Sequence, residues 1–485
     1  MSTDRKGLTV TEWLILTVAA IGFLFDTYEL LMFPVIGGQA IAELKNVPVN
    51  SDEVRLWSGR MLWIAALCGG VFGLLGGWLI DRMGRKTVMV LSIFLYSFSP
   101  VFAAFSTSLT MLIVFRCTTF IGVCVEAVAA VTWLSELFAD KRKRQKAIGW
   151  TLAFASLGGI LVTEVFKQMV VLAPDLPALP VPEGSNAHAA WRYTLLTGLV
   201  PGALILLLMP FVPESKVWKE KKLAGTLRRP RFAELFAPGL LRTTIVATLL
   251  SACAYGAAFG ALQLTPLQMV PGMPDIAKKR AEIGKEIGQT QKDLKAAADG
   301  SPEKKELAAK LVGLQKTLAI TIDDRRGDIQ RWQEIGGLCG RIALAILLVI
   351  IVSHKTLLRI FLVPGLILFP ATYLALYKGD YTIFATAIFF CGFVTTSQFS
   401  YFGEYLPKAF PTHLRGTGGS FASNVGGRMI GTMAAILNTE FISTLFDGDP
   451  SERVAKAAAV IGGCVFFLAL ILSFFLPKPL EESSE

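Results

Sequence analysis

Three carboxylic acids and one arginine stand inside long apolar stretches of this sequence: Asp26, Glu29, Glu126 and Arg428. Asp26 and Glu29 are three residues apart, so a helix would place both on one face. Burial disfavours the charged form of a carboxyl group, and an acid in such a stretch can therefore hold a proton. A guanidinium presents a planar fork of donors that fits a carboxylate, and the two glycines before Arg428 leave room beside it. These residues indicate proton binding and anion binding.

Each of these residues also has a structural interpretation. The acids could form permanent ion pairs with Arg or Lys, and Arg428 could be the partner of Asp26 or Glu29 across the molecule. Glu126 fits either a proton relay or gate, or a static ion pair, while Glu164 and Lys167 are expected to pair with each other. Further candidates for contact with a bound anion are listed here: Arg341, Tyr28, Gln398 and Tyr401.

The composition limits what these residues can belong to. Of the 485 residues, 53% are hydrophobic and only 17% are charged, whereas an ordinary soluble domain carries about 25% charged residues. The net charge of +10 is carried by short loops between apolar runs, which argues against a nucleic-acid-binding protein. The sequence shows no nucleotide-binding loop, hydrolase elbow or zinc-protease motif and no cysteine pair at metal-binding spacing. We therefore expect a membrane protein that is no enzyme and uses no cofactor or metal.

Twelve apolar runs are long enough to cross a bilayer, which takes about 20 helical residues. Counting along the first run puts Asp26 roughly 18 Å deep, and counting from Gly416 puts Arg428 at a similar depth, so both are expected near the midplane. The predicted spans are 13–36, 58–80, 87–107, 109–135, 148–172, 192–212, 243–270, 334–353, 359–377, 381–403, 416–445 and 454–476.

Lysine and arginine cluster in alternate loops, which predicts the orientation. The loops after spans 2, 4 and 6 are basic and the loops opposite are nearly bare, so both termini should be cytoplasmic in an inner or plasma membrane. The long basic segment after span 6 divides the chain into an N-terminal bundle (1–212), a linker (213–241) and a C-terminal bundle (242–485). Six spans on each side are typical of a carrier built from two repeats.

Residues 274–333, between spans 7 and 8, are polar and charged. Apolar residues recur there at spacings of three, four and seven in two runs, separated by a turn at Asp299–Pro302. This pattern predicts an antiparallel helical hairpin with a coiled-coil seam on the outer side. The hairpin is either a solvated spacer or lid, or an arm that holds a partner protein or a second copy of the chain.

The loop after span 2 reads Gly77-Trp-Leu-Ile-Asp-Arg-Met-Gly-Arg-Lys86. It resembles the signature G-x-L-x-D-R-x-G-R-K of the major facilitator superfamily, which implies a fold of twelve transmembrane helices in two six-helix bundles. The resemblance implies gating contacts, most of them on the cytoplasmic side, whose residues here are Asp81, Arg82, Gly84, Arg85, Arg116, Glu136 and Arg415.

Other stretches narrow this resemblance. Arg116, Gly122 and Glu126 match a pattern of sugar-porter-like members, and Pro213–Ser215 looks like their P-E-S element. The run from Tyr405 to Arg428 is similar to that of carboxylate:proton symporters such as sialate and lactate carriers, and aromatic-acid symporters and organic anion transporters have related runs. Phe25–Glu29 resembles the D-x-Y/F-D element of the same symporters. The chain departs from the family at Lys408, where an acid is usual, and in the loop between spans 8 and 9, which lacks the second-half aspartate.

The resemblance therefore implies alternating-access symport of a proton and a small organic carboxylate. Asp26, Glu29 and Glu126 would serve the proton, and Arg428 and Arg341 the anion. Three alternatives stay open: a sugar or polyol porter, an organic-cation carrier, and a transporter-like nutrient sensor or adaptor. The missing span 7 amide cluster of sugar porters argues against the first of these.

Overall fold

A computed structural model describes residues 9–137, 141–182, 184–224, 231–297, 301–351, 353–411 and 414–479. These ranges contain helices and connecting turns and no β-strand. The α-helices in chain order are α1 Val10–Lys45, α2 Asp52–Met83, α3 Arg85–Ala104, α4 Leu109–Leu137, α5 Lys141–Leu172, α6 Ala190–Thr197, α7 Leu199–Leu208, α8 Lys216–Leu223, α9 Leu241–Ala257, α10 Pro274–Ala296, α11 Pro302–Ile350, α12 His354–Pro370, α13 Tyr381–Ala409, α14 Arg415–Phe421, α15 Met433–Ile436 and α16 Pro450–Phe475.

The molecule is an all-α membrane protein of two six-helix bundles joined by the segment that holds α8. Eleven helices in the described ranges are long and apolar enough to cross a bilayer. The first begins at a capping box, in which Thr9 Oγ1 accepts from the Glu12 amide at 3.2 Å and Glu12 Oε2 accepts from the Thr9 amide at 2.7 Å. It ends at Asn46, whose left-handed backbone (φ 55°) stops the helix.

The eleventh predicted span, 416–445, is a chain of short helical pieces instead of one α-helix. A π-helical segment covers Ala422–Gly431 between α14 and α15, and a second covers Leu437–Phe441. Glycine has low helix propensity and recurs between Gly416 and Gly431, which lowers the cost of departing from α-helical geometry in that part of the span. Arg428 lies inside the first π-helical segment, and such segments are often found at functional sites.

The polar insertion forms the expected pair of helices, but its second helix does not stop before span 8. α11 is continuous over 49 residues, from the tip of the insertion at Pro302 to Ile350 in the C-terminal bundle. Apart from Pro302 at its first position it contains no proline to break it. α10 packs antiparallel against α11, with the Ile276 side chain buried between them and the bundle. We call α10 together with residues 302–322 of α11 the arm.

The two bundles meet along two seams. One joins α2 to the broken span 11, where the glycines of α2 allow close approach: a Cβ at Gly59 would lie 2.8 Å from the Ala435 carbonyl oxygen. The other joins α5 to α11, where a Cβ at Gly159 would collide with Glu334 Oε2. The predicted proton-binding and anion-binding residues lie on the helices that form and flank these seams.

Candidate functional site

Glu126 of α4 reaches α1 one turn before Asp26, because a Cβ at Gly22 would lie 2.6 Å from Glu126 Oε1, and the charge of its carboxyl group acts on that of Asp26. Asp26 is 7% exposed and Glu126 is fully buried. Their four carboxyl oxygens have no hydrogen-bond partner among the described residues. Two neighbouring buried carboxyl groups repel when both are ionised, and a proton on either group removes that repulsion.

Arg428 faces this pair from the other bundle. Its Nη1 donates to Asn424 Oδ1 at 2.6 Å, one turn earlier in the π-helical segment, and its charge acts on Asp26. Its Nε has no hydrogen-bond partner among the described residues. The guanidinium is therefore held on one side and still has a donor to offer a ligand.

Glycines of α2 bring this site together. A Cβ at Gly70 would lie 2.8 Å from Met429 Cγ, and one at Gly73 would lie 2.7 Å from Asn424 Oδ1. α2 therefore packs directly on the segment that carries Arg428 and its amide partner. The sequence predicted Asp26, Glu126 and Arg428 separately, and the fold gathers them at this seam.

Glu29 occupies a separate position deeper in the N-terminal bundle. Its side chain is fully buried beside Gly198, and its carboxyl oxygens have no hydrogen-bond partner in the described part of the chain. A cavity of about 10 Å³ between Glu29 and Arg116 is close to the volume of one water molecule. Tyr28, predicted to contact substrate, turns its hydroxyl to Thr197 Oγ1 at 2.5 Å within the same bundle.

Arg116, predicted to act in gating, binds backbone instead of a carboxylate. Nη1 donates to the Glu29 carbonyl oxygen at 2.7 Å and Nη2 to the Leu30 carbonyl oxygen at 2.9 Å. Its guanidinium also lies over the Phe120 ring, 4.7 Å from the centroid. Arg116 thereby fastens α4 to the middle of α1.

Arg341 shares the α11 face with a residue that the sequence reasoning missed. The charge of Glu334, seven residues earlier, acts on Arg341. Gln330 and Gln333 donate to Glu334 Oε1 at 2.7 and 3.2 Å. The signal was available in the sequence, because Arg326, Gln330, Glu334 and Arg341 recur at helical spacing and form a polar stripe that runs into span 8.

Gln398 and Tyr401 on α13 are buried inside the C-terminal bundle. Gln398 Nε2 donates to the Val394 carbonyl oxygen at 3.2 Å, and the Tyr401 ring stacks on Tyr405 with centroids 5.6 Å apart. The Tyr401 hydroxyl has no hydrogen-bond partner among the described residues. Both therefore remain candidates for a pocket wall.

The predicted cytoplasmic gate forms a compact cluster at the turn between α2 and α3. Gly84 has φ 99°, a conformation that only glycine adopts readily, and its carbonyl and amide link the two helices. Arg85 Nη2 pairs with Glu136 at 2.6 Å, and Ser215 Oγ donates to the same carboxylate at 2.6 Å. Glu214 accepts from the Arg85 amide at 3.0 Å and so caps α3.

Three other predicted gate residues make no described contact with this cluster. The Arg82 side chain is exposed and its guanidinium lies over the Trp78 ring, 5.3 Å from the centroid. Arg415 is the first residue of α14. Asp81 lies near the end of α2, and its side chain is outside the described residues.

One predicted ion pair is wrong. Glu164 and Lys167 do not serve each other, because both reach across the second seam to α11. Glu164 binds Arg331 through two contacts of 2.5 and 2.7 Å, and Lys167 Nζ binds Asp328 at 2.6 Å. The sequence could not show this, because the opposite charges lie more than 150 residues later in the chain.

Comparison with known proteins is consistent with this architecture. The family model described as Major Facilitator Superfamily matches residues 13–284, more than half of the chain. The chain is 26% identical over 254 residues to the sialic acid transporter NanX of Escherichia coli, covering 52% of this chain and 54% of that protein. It is 23% identical to the cis,cis-muconate transport protein of Acinetobacter baylyi, covering 84% of this chain and 82% of that protein. It is 27% identical to the arabinose-proton symporter of Bacillus subtilis, covering 42% of this chain and 37% of that protein.

The structural similarity covers almost the whole chain. The xylose transporter XylE from E. coli, in an inward open conformation, superposes with a TM-score of 0.66 over 97% of this chain and 98% of that chain. The sequence identity in that superposition is 16%, so the likeness concerns the fold. The chain spans about half the length of NanX, and less of the arabinose symporter.

Proposed function

Because the chain belongs to the Major Facilitator Superfamily, we propose that it is a secondary transporter and carries a small organic carboxylate together with a proton. Alternating access would bring the site between α1, α4 and span 11 to each side of the membrane in turn. NanX and the muconate transport protein are named for acidic substrates, which favours a carboxylate cargo. The membrane is the inner or plasma membrane, with both termini cytoplasmic and the arm outside.

The observation that carries the proposal is the opposition of Arg428 and the Asp26–Glu126 pair across the bundles. When the pair holds one proton it keeps one negative charge, and when it holds two it keeps none. A second proton would therefore release Arg428 from the field of Asp26 and leave its fork free for the carboxylate of the cargo. Proton and anion together form a nearly neutral load, which lowers the cost of crossing the apolar medium.

Glu29 and Arg341 fit secondary roles in this scheme. Glu29, buried beside a cavity large enough for one water molecule, could pass a proton within the N-terminal bundle. Arg341 would assist in holding the anion, with Glu334 as its counter-charge when no cargo is bound. Tyr28, Gln398 and Tyr401 would shape the walls and do no chemistry.

The test is uptake into proteoliposomes of labelled sialate, muconate and arabinose, with and without an inward proton gradient. We expect one of the acids to accumulate only with the gradient, and Arg428→Ala to abolish that uptake. Arg359→Ala is the matched control, because Arg359 bonds to Ser473 Oγ at 2.9 Å at the bundle surface. Acid uptake that ignores the proton gradient, or that survives Arg428→Ala, would contradict the proposal.

A sugar porter is the alternative with a specific observation behind it, the likeness to the arabinose-proton symporter. Arabinose uptake without acid uptake would select it. An organic-cation carrier would keep its transport in Arg428→Ala and lose it in Asp26→Asn. A sensor or adaptor would bind solute without moving it, and would keep its partner only while the arm is present.

A further inference from the structure

The base of the arm is where the two bundles are tied together at the end of the molecule opposite the chain termini. The residues concerned are Asp323–Arg331 of α11, directly after the arm, and they meet α1 near its end and α5 near its end. Asp323 and Arg326 are 2% and 0% exposed. The sequence alone put these residues in a solvated insertion.

A buried pair forms the centre of this region. Arg326 Nη1 binds Asp323 Oδ1 at 3.0 Å, and Gln39 of α1 donates to the other oxygen of Asp323. The approach depends on Gly38, because a Cβ there would lie 2.5 Å from Arg326 Nη2 and 3.0 Å from the Leu267 carbonyl oxygen. α1, α11 and the end of span 7 therefore close on one another at this point.

Ion pairs with α5 extend the contact on the more exposed side. Lys167 Nζ lies 3.0 Å from Asp324 and 2.6 Å from Asp328, and its stem rests on Gly327, where a Cβ would lie 2.5 Å from Lys167 Cγ. Glu164 and Arg331 add a two-pronged pair. The two helices run antiparallel, so these contacts occur in register along the seam.

The kind of contact matters for what the region can do. Partly exposed ion pairs are individually weak, because both groups regain water when they separate. An apolar seam of the same size would resist opening, since every square ångström of apolar surface would be exposed to water. A seam of ion pairs is therefore suited to repeated closing and opening.

The arm is rigidly joined to this seam. α11 runs without a break from the arm through Asp323–Arg331 into the C-terminal bundle. α10 is held to it by the pair of Arg325 with Asp275, at 2.7 Å. The arm has no hinge of its own at its base on α11, so it must follow α11.

We propose that the insertion supplies the outer gate of this carrier: Asp323–Arg331 lock α11 against α1 and α5 when the outer side is closed, and the arm moves with the C-terminal bundle when it opens. The proposal gives Asp323–Arg331, which lie outside the predicted cargo site, a role in positioning the two bundles. It requires no particular cargo and no proton coupling, so it stands or falls separately from the carboxylate symport.

The test is a pair of distance measurements on the full-length protein in nanodiscs by pulsed electron spin resonance. The spin labels are attached to p-acetylphenylalanine, introduced at each labelled position, so the seven native cysteines can stay in place. One pair, Val171 and Val312, joins the outer end of α5 to the arm; the other, Val312 and Leu445, joins the arm to the end of span 11. All three side chains are exposed.

In Lys167→Glu we expect the population with a longer Val171–Val312 distance to rise about twofold to fivefold, as the loss of weak ion pairs implies. The Val312–Leu445 distance should stay the same. Adding Asp328→Lys to Lys167→Glu should return the population towards that of the native chain. Asp275→Asn is the matched control, because it breaks an ion pair within the arm and α11 and should leave the Val171–Val312 distribution unchanged.

A second variant tests the same seam in case Lys167→Glu fails to fold. Gly327→Ala should open the seam through steric contact with Lys167, while Gly313→Ala, with open space around it, should not. The proposal is overturned if Lys167→Glu and Gly327→Ala both leave the Val171–Val312 distances unchanged. It is equally overturned if the arm moves relative to Leu445 while the seam stays closed.

Discussion

Arg116 of α4 donates from Nη2 to the carbonyl oxygen of Leu30 in α1. In an α-helix this oxygen would accept from the amide four residues later, but that residue is Pro34. Proline has no amide hydrogen, so the helical bond that Leu30 would receive is missing. The guanidinium supplies the missing donor from a neighbouring helix. This explains why a buried arginine next to Glu29 bonds to the backbone and leaves the carboxylate without a hydrogen bond from it.

The Arg116–Leu30 contact predicts coupling between Arg116 and Pro34. Arg116→Ala should destabilise the protein by about 1–3 kcal/mol, because a buried carbonyl oxygen loses its partner. In a Pro34→Ala background the new amide can donate to Leu30, so the same substitution should cost less. Thermal unfolding of the four proteins of this cycle in one detergent measures the coupling. Simple additivity of the two substitutions would refute the interpretation.

Gly73→Ala should disturb the anion site without touching Arg428. The added methyl would lie 2.7 Å from Asn424 Oδ1, which holds the guanidinium. We expect overpacking to cost about 1–3 kcal/mol and to weaken binding of the carboxylate. Gly76→Ala is the control on the same helix, because its nearest neighbours at Val125 would lie at an ordinary 3.6 Å. Equal melting temperatures and equal uptake in the two variants would rule the packing argument out.

Glu214 should prove to be a helix cap as well as part of the cytoplasmic cluster. Glu214→Ala removes the acceptor for the Arg85 and Lys86 amides at the start of α3 and should cost about 0.5–2 kcal/mol. Glu214→Gln keeps an acceptor oxygen and should cost less than half as much. Thermal unfolding compares the two, and identical losses would show that charge alone, and not capping, stabilises the turn.

Asp26→Asn should separate proton coupling from cargo binding. The amide cannot take up and release a proton, so a proton gradient should no longer drive accumulation of the acid, while exchange of labelled for unlabelled acid should continue. Because the protonated carrier binds the anion, native uptake should rise as the outer side is acidified, and the variant should lose that dependence. The control is Asp175→Asn, at the end of the short turn after α5.

If Asp26→Asn still accumulates acid against its gradient with the native pH profile, the proton is carried elsewhere. Glu126→Gln and Glu29→Gln, measured in the same assay, would then show which of the remaining acids serves it. Loss of exchange as well as accumulation in Asp26→Asn would place Asp26 in the binding of cargo.

The all-helical membrane fold could be predicted from the sequence because a bilayer imposes a simple rule. Apolar runs of about 20 residues must be helices there, since every backbone group has to be satisfied within its own segment. The loop motif around Gly84 likewise required only local chemistry, a turn with positive φ and charged neighbours. The broken geometry of span 11 was missed, because a run of apolar and small residues reads as one helix whether its bonds are α or π.

The amino-acid sequence by itself determined which side chains are costly in an apolar medium, and so identified Asp26, Glu126 and Arg428 as residues that need an explanation. Only the tertiary structure decided their partners. Spacing along a chain reports neighbours within one helix, whereas Glu164 meets Arg331 and Asp26 faces Arg428 through the packing of helices that are far apart in the chain. The same packing placed the base of a polar insertion at a seam between two bundles, which no local pattern of residues encodes.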